Sequence, residues 1–113
     1  MESTTSLKFL DALTISEVPE GTNKAITLFG QSLLVCHSGG VFYTVANRCS
    51  HQQQPLEGGR LRGSFLFCPL HGVRFDLRSG MPTGTLTRTP IKTWPTRVEG
   101  ECVQIAEPPD SDE

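Results

Sequence analysis

The chain has 113 residues and a formal net charge of −2, which suits one compact domain and gives no support for nucleic-acid binding. Its N-terminus lacks a basic stretch followed by an apolar one, and nowhere do about 18 apolar residues run together. We therefore expect no signal peptide and no membrane anchor, and we expect a cytoplasmic protein.

Short apolar segments separated by turn residues predict an all-β protein, with one short helical turn near residues 16–18. Tight turns are expected at Phe29-Gly30-Gln31, Ser38-Gly39-Gly40 and Glu99-Gly100, because glycine accepts a positive φ without steric cost. The predicted strands cover residues 7–10, 25–28, 32–36, 41–46, 60–62, 64–67, 73–76, 93–98 and 101–105.

Two short motifs carry the chemistry of the chain: Cys49-Ser50-His51 and Cys68-Pro69-Leu70-His71. Each supplies one thiolate and one imidazole at close range, and the segment between them is typical of a β-hairpin. In a Rieske centre two histidines replace two of the four cysteines that hold a 2Fe-2S cluster. The two motifs together supply that ligand set.

The alternative is a structural zinc site, because two cysteines and two histidines are also a tetrahedral zinc set. Zinc fingers usually pair like with like, as C-x-x-C followed by H-x-x-x-H, whereas each motif here mixes the two residue types. The pattern favours the iron-sulfur interpretation over a non-redox zinc module.

Around these motifs the chain resembles the Rieske ferredoxin family, in particular the ferredoxin component of bacterial ring-hydroxylating dioxygenase systems. Weaker likeness extends over most of the chain. The residues that carry the resemblance are Cys49-Ser50-His51, Pro55-Leu56, Gly58-Gly59, Cys68-Pro69-Leu70-His71-Gly72, Phe75-Asp76 and Gly80-Met81-Pro82.

The resemblance implies a Rieske fold, with an antiparallel β-sandwich base and a small cluster-binding lobe at about residues 47–82. One domain would cover residues 1–106, and the acidic, proline-containing segment 107–113 is expected to be a disordered tail. The implied cofactor is one Rieske-type 2Fe-2S cluster. Its inner iron would be bound by Cys49 and Cys68, and its outer iron by His51 and His71.

Family members from respiratory complexes have an extra cysteine in each cluster loop and hydroxyl groups that donate to the cluster sulfurs. Here Gln54 and Leu70 stand at the extra cysteine positions, while Val73 and Phe75 stand where the donors would be. Such hydrogen bonds favour the more negative, reduced state, so their loss lowers the potential. We expect a low-potential cluster.

The supply of histidines limits what the chain can do alone. An oxygen-activating iron site needs two histidines and a carboxylate, but the chain has three histidines and the predicted cluster uses two, which leaves His37. The resemblance therefore implies a monomeric electron carrier without catalytic activity of its own. It would pass electrons from an NAD(P)H-dependent reductase to a terminal aromatic-ring-hydroxylating oxygenase. The alternative is a small fixed subunit of a larger reductase, such as nitrite reductase.

Two further features of the cluster segment have open interpretations. Five arginines lie between residues 47 and 82, where they form either a docking face for acidic partners or a scattered solvated set. Gly80-Met81-Pro82 either covers the cluster, as the resemblance suggests, or forms an ordinary turn. The five arginines are Arg48, Arg60, Arg62, Arg74 and Arg78.

The two cysteines outside the motifs, Cys36 and Cys102, lie in apolar strand patterns and are interpreted as buried small side chains rather than ligands or a disulfide pair.

Overall fold

A computed structural model describes residues 7–50, 54–69, 73–84 and 87–108. Eleven strands and one short 3-10 helix make up its regular structure. The strands are β1 (Leu10–Thr14), β2 (Asn23–Leu28), β3 (Gln31–Ser38), β4 (Val41–Ala46), β5 (Arg60–Arg62), β6 (Phe65–Phe67), β7 (Arg74–Asp76), β8 (Pro82–Thr83), β9 (Thr93–Trp94), β10 (Thr96–Glu99) and β11 (Cys102–Ile105).

The strands form three antiparallel sheets. The first sheet has the order β1-β11-β10, the second β2-β3-β4-β9 and the third β5-β6-β7-β8. This confirms the all-β class expected from the sequence. In the described part of the chain, no helix is long and apolar enough to cross a membrane.

Strand β3 explains how the three sheets are layered. Its residues Leu33, Leu34, Val35 and Cys36 are all fully buried, although strands covered on one face alternate between buried and exposed positions. Leu33 and Val35 pack in one core with residues of the first sheet, and Leu34 and Cys36 pack in another core with residues of the third. The second sheet is therefore the middle layer, covered on both faces.

Proline divides one predicted strand in two. The sequence suggests a single strand over residues 93–98, but Thr93–Trp94 pairs with β4 in the second sheet and Thr96–Glu99 pairs with β11 in the first. Pro95 lies between them and has no backbone N–H to donate to a ladder, so the chain changes sheets at that residue.

Other boundaries also differ from the sequence-based prediction. The first strand was placed at residues 7–10 but runs over Leu10–Thr14, where it pairs with β11 and contains an irregularity between Asp11 and Leu13. The 3-10 helix Ile15–Glu17 begins one residue before the predicted helical turn. Strand β8 was not predicted, because two residues that include a proline have no alternating pattern.

Candidate cluster-binding site

Each predicted cysteine ligand lies shortly after the end of a strand, at the start of its loop, and is buried. Cys49 comes three residues after the end of β4 and is fully buried, and Cys68 comes directly after β6 and is 3% exposed. Both belong to the core between the second and third sheets. The fold thus brings together two thiols that are distant in the sequence. The other predicted ligands, His51 and His71, lie outside the described residues, as does Leu70.

The two loops are closed by the same kind of hydrogen bond. The N–H of Cys49 donates to the carbonyl oxygen of Gln54 over 2.7 Å, and the N–H of Cys68 donates to that of Val73 over 2.8 Å. One bond therefore joins the two sides of the loop that carries His51, and the other joins those of the loop that carries His71. These two bonds fix the backbone of each cysteine at the base of its loop.

The surroundings of the two cysteines are apolar. Leu56, Leu66 and Phe75 are fully buried in the same core, and Val73 is 3% exposed. An apolar shell keeps water away from the sulfur ligands of a metal centre and so influences its redox potential. Phe75 carries no hydroxyl group, and Val73 carries none either, which leaves these two buried side chains unable to donate hydrogen bonds.

A third cysteine lies in this core but differs from the predicted ligands. Cys36 is on β3, opposite Tyr43, and burial raises the pKa of its thiol to about 12. Because Cys36 lies inside a strand that is paired on both sides, and not at the base of a cysteine loop, it is a poor candidate for a cluster ligand. Cys102 lies in the first sheet and is half-buried, not fully buried as the sequence suggested, and burial raises the pKa of its thiol as well. Cys36 and Cys102 form no disulfide.

Two asparagines, Asn23 of β2 and Asn47 directly after β4, form hydrogen bonds to the segment that connects the two cysteine loops. Asn47 Oδ1 accepts hydrogen bonds from the N–H groups of Leu56 and Glu57, both at 2.9 Å. Asn23 Oδ1 accepts from the N–H of Gly58 at 2.8 Å, and its Nδ2 donates to the carbonyl oxygen of Gly59 at 2.9 Å. Neither asparagine is predicted from the sequence as a residue that fixes this segment, because asparagine beside a turn is common and so is a weak signal of such a role.

A further connection reaches the first cysteine loop from the segment before β9. Ser50 Oγ donates to the carbonyl oxygen of Thr89 at 2.5 Å and lies 3.3 Å from Thr87 Oγ1. This segment therefore contacts the loop of Cys49. Pro82 pairs with Phe75 as part of β8, and Gly80 closes a turn by donating to the carbonyl oxygen of Asp76. Both interpretations of Gly80-Met81-Pro82 stay open, because His51 and residues 70–72 of the cysteine loops lie outside the described residues.

The remaining histidine, His37, lies on β3 and contacts neighbouring residues through both of its ring nitrogens and its ring face. The Nδ1–H of His37 donates to the carbonyl oxygen of Val18 at 2.8 Å, and its Nε2 lies 3.4 Å from a carboxylate oxygen of Glu20. Its ring stacks on that of Phe42, with the ring centroids 4.0 Å apart. These contacts give His37, the histidine that the predicted cluster does not use, a structural role.

Comparison with known proteins agrees with this geometry. The fold and the two buried cysteines at the bases of two loops define a small all-β domain with a candidate metal-cluster site. Residues 8–95 match the model of the Rieske [2Fe-2S] domain, and the chain belongs to that family. The family resemblance is thereby confirmed, and the cofactor is a Rieske-type 2Fe-2S cluster. The two buried thiols in an apolar shell fit this cofactor, since thiolates ligate such clusters.

Similar proteins carry the names of dioxygenase components. The chain is 35% identical to the ferredoxin component of a naphthalene 1,2-dioxygenase system of Pseudomonas aeruginosa, over 87% of this chain and 94% of that protein. It is 30% identical to the biphenyl dioxygenase ferredoxin subunit of Pseudomonas sp. strain KKS102, over 88% and 92% of the two chains. The ferredoxin of carbazole 1,9a-dioxygenase from Nocardioides aromaticivorans IC177 has the same fold, with a TM-score of 0.81 and 28% identity over 88% and 98% of the chains.

Proposed function

We propose that this chain is a one-electron carrier that takes electrons from an NAD(P)H-dependent reductase and delivers them to a terminal aromatic-ring-hydroxylating oxygenase. The observation that carries the proposal is coverage: the chain spans 94% of a ferredoxin component of a naphthalene 1,2-dioxygenase system. Because the match covers nearly the whole length of that component, this chain contains the segments that such a carrier needs. Catalysis of ring hydroxylation belongs to the oxygenase.

The four predicted ligands are assigned on the same basis. Cys49 and Cys68 bind the inner iron, and His51 and His71 bind the outer iron; the burial of both cysteines in one core supports the first pair. When bound, the cluster takes up and releases one electron. The protein contributes one backbone hydrogen bond that closes the loop after each cysteine, and an apolar shell that limits water near the sulfurs.

The domain organisation and assembly follow from the carrier role. We further propose that residues 1–106 form one domain with the cluster lobe at about 47–82 and that the carrier works as a monomer; residues 109–113 of the expected tail lie outside the described residues. Exchange between two partners requires weak, transient interfaces. The proposed location is cytoplasmic, where a reductase can draw on NAD(P)H.

Two measurements test the ligand set. Replacing Cys49, His51, Cys68 or His71 by alanine, one at a time, should abolish bound iron and labile sulfide together with the visible absorbance. Cys36→Ala and Cys102→Ala are the matched controls and should keep the cluster. A colourless wild-type protein with stoichiometric zinc and no labile sulfide would contradict the ligand assignment and favour the zinc module.

Reconstitution tests the carrier role. NAD(P)H, the reductase and the oxygenase of the same organism are combined with an aromatic substrate, with and without this protein. Product should form at a rate that depends on the carrier concentration, and equal product formation in its absence would contradict the role.

The alternative of a fixed reductase subunit has weaker support. A small-subunit structure described as a putative nitrite reductase is 16% identical to this chain, with a TM-score of 0.77, and so shares the fold alone. A fixed subunit would purify bound to a large partner, whereas a carrier would purify as a monomer.

A further inference from the structure

The third sheet has an inner and an outer face of opposite character. Leu61, Leu66 and Phe75 lie directly opposite one another on β5, β6 and β7, and their side chains pack in the core next to the second sheet. Side chains alternate between the faces of a strand, so the residues on either side of these three lie on the outer face. We call Arg60, Arg62, Phe65, Phe67, Arg74 and Asp76 the outer face of the third sheet.

Two rows of side chains cross this outer face. Arg60 pairs with Phe67, which pairs in turn with Arg74; in the next row Arg62 pairs with Phe65, which pairs in turn with Asp76. Residues directly opposite each other in antiparallel strands present adjacent side chains on the same face. Phe67 therefore has an arginine on each side, whereas Phe65 has Arg62 on one side and Asp76 on the other. Both rings are half-buried, while all three arginines are exposed.

Arg74 is fixed above the two rings. Its guanidinium carbon lies 5.2 Å from the ring centroid of Phe65 and 5.9 Å from that of Phe67, within the range of cation–π attraction. Its Nε donates to Thr83 Oγ1 at 3.0 Å. A charge already held in place loses less conformational entropy when a partner binds.

The outer face carries uncompensated positive charge. The acidic residue on this sheet, Asp76, is engaged by Arg78 at 3.0 Å, which lowers the pKa of its carboxyl group. Among the described residues, Arg60, Arg62 and Arg74 form no ion pair. Three free cations are thus concentrated on one face of a protein with a net charge of −2.

The outer face also adjoins the proposed cluster ligands. Phe67 directly precedes Cys68, and Arg74 directly follows Val73, whose carbonyl oxygen closes the loop of Cys68. The row of Arg60, Phe67 and Arg74 therefore lies at the base of the loop that carries His71. A protein docked on this row would lie next to the loop through which the electron is expected to leave.

We propose that the outer face of the third sheet docks an acidic surface of the protein that exchanges electrons with the cluster. Arginine and aromatic residues are the types enriched at protein interfaces, and concentrated positive charge accelerates encounter with an acidic partner. The inference rests on the proposed carrier function. Because the cluster loop adjoins one face, the electron donor and the electron acceptor use this face in turn.

The test is charge reversal with matched net charge. The double variant Arg60→Glu/Arg62→Glu changes the charge on the outer face, and Lys8→Glu/Arg97→Glu makes the same change in net charge on the segment before β1 and on β10. Stopped-flow spectroscopy measures the second-order rate constants for reduction by the reductase and for oxidation by the oxygenase. Both variants must show the wild-type visible spectrum and midpoint potential, which excludes damage to the cluster.

At an ionic strength of about 0.01 M, where the Debye length is roughly 30 Å, the outer-face variant should be slower by about tenfold or more in both half-reactions. The difference should shrink towards 1 M salt, and the control should stay within about twofold of wild type. The milder Arg60→Gln/Arg62→Gln should give an intermediate rate.

Normal rates of the outer-face variant at low salt, beside a wild-type protein that transfers electrons, would overturn the docking site and leave the carrier function intact. A slowing that is equal in the control variant would also overturn it, since net charge would then account for the effect. A wild-type protein that transfers no electron in either half-reaction would refute the carrier function and the docking site with it.

Discussion

The hydroxyl group of Ser50 donates a hydrogen bond to the backbone carbonyl of Thr89 over 2.5 Å, across a sequence separation of 39 residues. Ser50 stands between Cys49 and His51, two of the proposed ligands. The bond therefore joins the first cysteine loop to the segment that precedes β9.

Ser50→Ala should shorten the lifetime of the cluster. The substitution removes a hydrogen bond with a typical net contribution of about 1 kcal/mol and releases the loop next to Cys49. The half-life of the visible absorbance in the presence of an iron chelator measures the effect. Ser16→Ala, which removes a hydroxyl group from the base, should leave the half-life unchanged, and an unchanged half-life in Ser50→Ala would refute a role for this bond.

Asn47→Ala should lower the thermal stability of the holoprotein. It leaves the N–H groups of Leu56 and Glu57 without their acceptor, at a cost of roughly 1–3 kcal/mol for each one that stays buried. Tm should fall by roughly 4–8 °C for each kcal/mol in a domain near this size. Asn47→Asp keeps the acceptor oxygen and should recover most of the loss; equal Tm values for the alanine and aspartate variants would contradict this explanation.

Features that depend on residues close together in the sequence were predictable, and features that depend on residues far apart in the sequence were not. The alternation of apolar residues in 41–46 and 101–105 is local, and it placed β4 and β11 within about one residue. The two Cys-His motifs are also local, and they predict the ligand set, of which the structure describes Cys49 and Cys68 as buried in one core. The partners of Asn47 and Ser50 depend on the tertiary fold, because the hydrogen bond of Ser50 reaches a carbonyl group that any residue type would supply.

The division of strand 93–98 shows another kind of miss. The sequence predicts one strand across Pro95, whereas the change of sheet there depends on which strands lie on either side, and single-sequence patterns do not contain that information. The concentration of arginines was visible in the sequence, whereas their placement on one face with two phenyl rings depended on the register of β5, β6 and β7.

Gly80→Ala should be much more destabilising than Gly100→Ala. Both glycines have a positive φ, 80° and 64°, which an alanine adopts at a cost of roughly 1–2 kcal/mol. A Cβ at Gly80 would in addition overlap the carbonyl oxygen of Ile91, whereas a Cβ at Gly100 would meet open space. Thermal unfolding of both variants measures the difference, and similar Tm values would mean that residues near Ile91 move easily.

The midpoint potential should lie near the low end of the Rieske range of roughly −150 to +300 mV. Phe75→Tyr adds a hydroxyl group inside the core that contains Cys49 and Cys68, and it should raise the potential if the group reaches a cluster sulfur. Phe67→Tyr adds the same group on the outer face and serves as the control. Protein-film voltammetry gives both values, and a wild-type potential far into positive values would contradict the prediction.

Glu20→Gln should destabilise the protein at neutral pH and have little effect in acid. The Glu20 carboxylate accepts hydrogen bonds from the N–H groups of Gly40 and Gly39, at 2.9 and 2.7 Å, and these bonds lower its pKa below the ordinary 4.5. A lowered pKa gives stability that is present above pH 4.5 and is lost as the pH falls through the folded-state value. Tm measured from pH 7 down to pH 3 should therefore converge for wild type and variant, with Glu99→Gln as the exposed control.

Pro95 also affects how the base of the protein, which consists of the first and second sheets, unfolds. Thr93–Trp94 is hydrogen-bonded into the second sheet and Thr96–Glu99 into the first, with a single residue between them. One sheet cannot separate from the other without breaking a ladder on one side of this residue, so opening of either sheet exposes the core they share. The base should accordingly behave as one cooperative unit in native-state hydrogen exchange, with the amides of β4 and β11 exchanging at the same free energy of opening.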